Sequence, residues 1–166
     1  VRYVAVEALS GLLVGACFVA FGVTAYAVLA ALFCLWLVVL AAIDLEHRLL
    51  PNRLVYPGAA IVTLAHTAID PSPEWVIGAA GAFALLLAIA LAYPRGIGMG
   101  DIKLCLMLGG MLGREFLVAF AVAIVAGLLP GAVALARGRT ARQLKVAFGA
   151  FLALGSVVAL FAGDRL

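Results

Sequence analysis

Charge is scarce in this chain. Only 11% of its 166 residues are charged and 67% are hydrophobic, against roughly 25% and 45–50% in ordinary soluble domains. A soluble domain of this size cannot hide so much apolar surface, so the composition points to a chain that crosses a membrane several times. Cysteine is thin as well. Cys17, Cys34 and Cys105 all sit inside apolar stretches and form no Cys-x-x-Cys pair. Neither a zinc site nor a disulfide framework is suggested, and they are read as small packing residues. The net charge of +3 is not gathered into one run, so nucleic acid is not an expected partner. No His-Glu-x-x-His run is present, and no Ser–His–Asp or Cys–His constellation stands out. No metal or cofactor is expected. The first apolar run is long and has no basic segment ahead of it beyond Arg2, so it does not read as a cleavable signal peptide.

What the chain does have is a series of long apolar runs. A helix needs roughly 20 residues to cross a bilayer, and the stretches 3–22, 25–43, 53–69, 75–93, 116–136 and 146–162 qualify. The stretch 102–113 reaches only about 18 Å, as a short span or as a helix that starts partway into the protein. The expected fold is all-α: one polytopic membrane helix bundle over residues 1–166, with six full spans plus one short helix. Cytoplasmic loops hold the excess of Lys and Arg. With the amino terminus inside, Arg2, Arg48, Arg53, Arg95, Lys103, Arg137, Arg139, Arg142 and Lys145 lie inside, against Arg114 and Arg165 outside. Both charged loops, around Asp44 and around Asp101, then face the cytoplasm. Glycine pairs at four-residue spacing, Gly11 with Gly15, Gly109 with Gly113 and Gly127 with Gly131, are packing signals for close helix approach.

Two polar segments interrupt the apolar pattern. In the first, Asp44 ends a long apolar helix, His47 follows three positions later, and Pro51-Asn52 starts the next helix. A solvated loop at the membrane surface accounts for it. In the second, Gly98-Met99-Gly100-Asp101 leads into the short helix. The structural account makes Asp101 its N-cap, with Gly98 and Gly100 supplying positive φ angles. That leaves the number of glycines unexplained.

The functional account pairs the two segments. Glycines let a peptide backbone approach Asp101, and two carboxylates a few ångströms apart do not both ionise easily. One then acts on a water as general base while the protonated one polarises a scissile carbonyl. His66 reads as a hydrogen-bonded interior residue, Glu7 as a carboxylate reaching the interface, and Asp70 and Glu74 as an outer turn without catalytic work.

These residues resemble those of the type IV prepilin peptidases, membrane aspartyl proteases of the GxGD class. Gly98-Met99-Gly100-Asp101 matches the GxGD motif, with Lys103 at the family's lysine. Asp44, His47 and Leu50-Pro51-Asn52 match the first aspartate's D-x-x-H-x-x-L-P-[DN] pattern. The resemblance covers essentially the entire chain as a single transmembrane peptidase domain. It implies Asp44 and Asp101 as catalytic residues, with Gly98, Gly100, Lys103, His47, Pro51 and Asn52 in the active-site loops and substrate approach. It also implies a substrate: a prepilin or pseudopilin with a single hydrophobic helix, cleaved after a glycine that ends its short basic leader. Cleavage would occur at the cytoplasmic face of the bacterial inner membrane.

Two departures stand out. The family's Pro-Phe-Gly-Pro before the last helix reads Ala147-Phe148-Gly149-Ala150 here, and no cysteine-rich methylation domain lies within these residues. The expectation for this stretch is peptidase activity without N-methyltransferase activity. Presenilin-like GxGD proteases carry a Pro-Ala-Leu motif that is absent here. A small transporter or scaffold using the acids as proton sites is the alternative from another class.

Overall fold

Every regular element is helical among the residues that the computed structural model describes, 2–93, 97–136 and 148–163. In chain order they are α1 (Arg2–Phe21), α2 (Ala25–His47), α3 (Asn52–Ile69), α4 (Glu74–Ala92), α5 (Met99–Leu112), a 3₁₀ turn (Gly113–Glu115), α6 (Phe116–Ala136) and α7 (Phe148–Ala162). Arg95, Gly96, Arg137, Arg139, Arg142, Lys145, Val146, Ala147 and Arg165 lie outside the described residues.

Apolar stretches long enough to cross a membrane are Val4–Phe21, Ala25–His47, Glu74–Ala92 and Met99–Leu129, the last taking in α5, the 3₁₀ turn and the start of α6. The chain is an all-α membrane helix bundle. Of the other expected spans, α3 carries Asn52, Arg53 and His66 and is less apolar, and α7 is a shorter apolar helix.

Corners are made where the sequence supplies the right residues. Gly22 (φ 68°) and Gly113 (φ 54°) take up left-handed backbone at the α1–α2 and α5–α6 reversals, where a side chain is strained. Thr24 caps α2 by accepting the Ala27 N–H at 3.1 Å. Inside α3, Pro57 has no N–H to donate. One turn away, the Leu54 carbonyl accepts the Trp36 indole N–H at 3.2 Å, which ties α3 to α2.

The short helix sits at the centre. Ile102, Leu104, Cys105 and every residue from Met107 to Leu112 are buried. Being enclosed by protein, α5 need not match the lipid thickness, which accounts for its length of about 21 Å at ~1.5 Å per residue. It packs most extensively on α4, then on α3, and also touches α7. Glycines decide how close the helices come. A Cβ on Gly109 would run into the Gly78 carbonyl of α4, and one on Gly155 of α7 into the Ala119 carbonyl of α6. Of the expected glycine pairs, Gly109 with Gly113 therefore serves packing, against α4. Gly11 and Gly15 have no neighbour at contact distance among the described residues. Gly127 meets only Phe151, at ordinary contact distance.

Candidate active site

The end of α2, the start of α5 and the start of α7 meet at one end of the bundle, because α7 packs against both α2 and α5. Asp44 lies one turn inside α2. The helix runs on to His47 and closes at Arg48, whose backbone is left-handed (φ 53°) and whose N–H returns to the Asp44 carbonyl at 2.8 Å. The helix thus does not end at Asp44 as the sequence suggested. Asp44 is buried, at 6% exposure, with the start of α7 against its carboxylate.

Asp101 is the third residue of α5, not its N-cap. The cap position belongs to Gly98, whose carbonyl accepts the Asp101 N–H at 3.1 Å. In return the Asp101 carboxylate accepts the backbone N–H of Gly98. This is the reciprocal half of a capping box, with the third-position acid reaching back to the cap.

The glycines of this motif are used for space. Gly98 is extended (φ −73°) and Gly100 is helical, so neither supplies the positive φ expected of it. A Cβ on Gly98 would stand 3.2 Å from Asp101 Oδ2, and one on Gly100 would stand 3.0 Å from the Leu50 Cβ. The first absence lets the carboxylate fold back onto the cap. The second lets the α2–α3 loop lie on the first turn of α5.

The third component was not among the residues singled out from sequence. The first turn of α7 has backbone N–H groups with no partner in their own helix. Asp44 supplies one: its Oδ2 accepts the Ala150 N–H at 3.1 Å, and the carboxylate also accepts from Gly149. Gly149 lies between the two acids. A Cβ there would be 2.8 Å from Asp44 Oδ2 and 3.2 Å from Asp101 Oδ1. The two carboxylate oxygens are therefore no more than about 6 Å apart, the span of two hydrogen bonds through one water. The Phe-Gly within the departing Ala-Phe-Gly-Ala stretch was the available signal. A proline at position 150, as in the family pattern, has no N–H to give Asp44.

The supporting residues are placed unevenly. Lys103 Nζ donates to Asn52 Oδ1 at 3.1 Å and lies 5.5 Å from the centre of the Tyr56 ring, strapping α5 to the start of α3. Pro51 is the residue before α3, where its fixed φ suits a helix start. His47 points away. Its side chain is 69% exposed and 4.0 Å from Glu46.

At the other end of the bundle, His66 is interior, as expected. Stacking holds it: its ring centre is 3.6 Å from that of Trp75 and 5.4 Å from that of Tyr26. Its Nδ1 has no hydrogen-bond partner among the described residues.

Known proteins resemble this chain. Residues 31–136, which hold both aspartates, match the model of the type IV leader peptidase family. Relatives from several bacteria carry the name prepilin leader peptidase/N-methyltransferase. That of Bacillus subtilis is 33% identical over 99% of this chain and 67% of its own length. That of Burkholderia pseudomallei is 35% identical over 98% of this chain and 55% of its own. That of Aeromonas salmonicida is 34% identical over 99% of this chain and 60% of its own. The chain thus spans between about half and two thirds of the length of these relatives. No solved structure matches it. With its family model covering most of the bundle and its relatives aligned nearly end to end, the chain belongs to the type IV leader peptidase family.

Proposed function

We propose that this chain is an aspartic endopeptidase that removes the short basic leader of prepilins or pseudopilins. Cleavage falls after a glycine, at the cytoplasmic face of a bacterial inner membrane. The observation that carries the reading is the meeting of Asp44 and Asp101 on either side of Gly149, in a bundle whose buried residues are otherwise almost all apolar. Like charges at about 6 Å repel by about 3 kcal/mol at an effective dielectric of ~20. A pair this close holds one proton between its members and titrates as a unit.

The hydrolysis follows from that sharing. The ionised carboxylate takes a proton from a water lying between the acids, and the water oxygen bonds to the scissile carbonyl carbon. The protonated carboxyl hydrogen-bonds the carbonyl oxygen as negative charge builds there. The proton held by the first carboxylate then passes to the leaving nitrogen as the C–N bond breaks. The products are a leader ending in glycine and a new amino terminus on the mature chain. Asp44's bonds to α7 and Asp101's bond to its own cap fix both groups before substrate arrives.

The inside location rests on the Lys and Arg asymmetry of the loops. The substrate's apolar helix stays in the bilayer, and only its leader has to reach the acids. Detergent-purified protein mixed with a prepilin tests the proposal: a shortened product whose new first residue follows the leader glycine supports it. An intact prepilin, with the protein folded by circular dichroism, refutes it.

A further inference from the structure

An open apolar groove of about 290 Å³ runs between α1, α2 and α7. Its position relative to the carboxylates is what makes it informative. On α2 its floor includes Leu37 and Ala41, the residues seven and three positions before Asp44. At helical spacing all three lie on one stripe. On α7 its wall is Ala150, Ala153 and Val157, again one stripe, and it starts at the residue whose N–H is bound to Asp44. The groove thus ends beside the candidate catalytic pair, at Leu45, the residue after Asp44, and at Ala150, whose N–H Asp44 holds, and it descends into the membrane-spanning region at the other end. Its far side is α1, through Val6 and Leu13. This helix packs chiefly on α2 and meets α7 at the far end of the bundle, where Phe21 stacks on Phe161 with ring centres 5.8 Å apart.

We infer that this groove seats the first two turns of the substrate's apolar helix, parallel to α7, and so sets which peptide bond reaches the acids. The inference rests on the peptidase reading above and adds the route by which the substrate is held. Three features favour a helix over a lipid tail as the occupant. Alanines at 41, 42, 150 and 153 let another helix backbone come close, a requirement that a lipid tail does not have. The stripe from Leu37 to Leu45 is about 12 Å long, the length of roughly eight helical residues. A helix in that seat that begins at the level of Asp44 presents the bond just before it to both carboxylates. The leader then lies outside the groove, in the aqueous cytoplasm, where its basic residues remain hydrated.

The test uses the full chain in detergent and a model prepilin: a basic leader ending in glycine, followed by an apolar helix. A benzophenone side chain is placed at each of the first eight helix positions in turn. Cleavage is first measured with the unsubstituted chain. Cross-linking is then done with Asp101→Asn, which holds the uncleaved substrate. Adducts on Val6, Leu9 or Leu154 are expected. Cleavage accompanied by adducts only on α3, α4 or α6, for instance at Ile61, Ile77 or Val125, overturns the groove and leaves the peptidase reading standing. An intact leader with the unsubstituted chain removes both.

A second measurement fills the groove. Ala42→Phe is expected to raise KM about tenfold with little change in kcat, the signature of lost ground-state binding, while Ile61→Phe, on the exposed face of α3 away from the groove, stays near the original value. An unchanged KM for Ala42→Phe assigns the groove to lipid and overturns the inference.

Discussion

The two ends of the bundle carry similar residues to opposite effect. At one end Glu74 stands in the first turn of α4, and at the other Asp101 stands in the first turn of α5. Locally they are alike, each an acid at a helix amino terminus, where the backbone dipole favours it. Glu74 is met by Arg114 at 3.6 Å, with both side chains well exposed. Asp101 is met by a second acid, and among the described residues neither aspartate has a cation within ion-pair distance. Pairing opposite charges in water stabilises a corner only slightly. Bringing like charges together in a half-buried place stabilises nothing and suits proton transfer. What arrives from elsewhere in the chain distinguishes the two ends.

Removing one acid at each end tests this most severely. Asp44→Asn and Asp101→Asn are each expected to lower kcat for leader cleavage by about a thousandfold or more, with helix content by circular dichroism unchanged. Glu74→Gln is expected to stay within about twofold, since exposed pairs contribute little. Equal losses at both ends would dissolve the contrast.

The next largest effect belongs to glycine. Gly149→Ala places a methyl against both carboxylates and is expected to cost about a hundredfold in kcat, the scale of a misplacement of about 1 Å in a catalytic group. Gly11→Ala, facing open space, leaves cleavage unchanged and raises stability by up to about 1 kcal/mol through helix propensity. Smaller again is Ala150→Pro. It removes one of the bonds to Asp44 while the Gly149 N–H remains, so kcat falls about tenfold, just below the ~1.5–3 kcal/mol of a hydrogen bond to a charged group. The smallest change is expected at the far end. His66→Phe keeps the stack on Trp75 and removes the unpartnered Nδ1. The gain from losing the unpartnered nitrogen is offset by losing the ring's bonds to the Gly110 and Met111 backbone, so the melting temperature in detergent stays close to the original.

Sequence alone told most about what is set locally. Apolar runs located the helices to within a few residues, and the start of α3 at Asn52 followed from Pro51. Asp44 and Asp101 were selected on motif and membrane side, and the helices do bring them together. The sequence was less informative where distance along the chain decides. Nothing near Asp44 announces that its helix gains one more turn, since Leu45, Glu46 and His47 read as loop by polarity yet continue α2. The glycines at 98 and 100 were assigned a conformational role because flexibility is their usual reason. Their actual reason, room for Asp101 and for Leu50, needs tertiary contacts to be seen. Gly149 was noticed only as part of a departing motif, because its neighbours are acids 105 and 48 positions away. His47 holds a place in the motif and faces solvent, as a residue of a solvated loop does.

The bond from α7 to Asp44 has a practical side. On the proposed mechanism one side chain is both a reagent and a hinge pin, since the carboxylate proposed to activate water also holds down the leading edge of the final helix. Asparagine keeps an oxygen that still accepts from the backbone, so it strips the chemistry and spares the architecture. Alanine takes away both, and a silent Asp44→Ala protein would say nothing about which was lost.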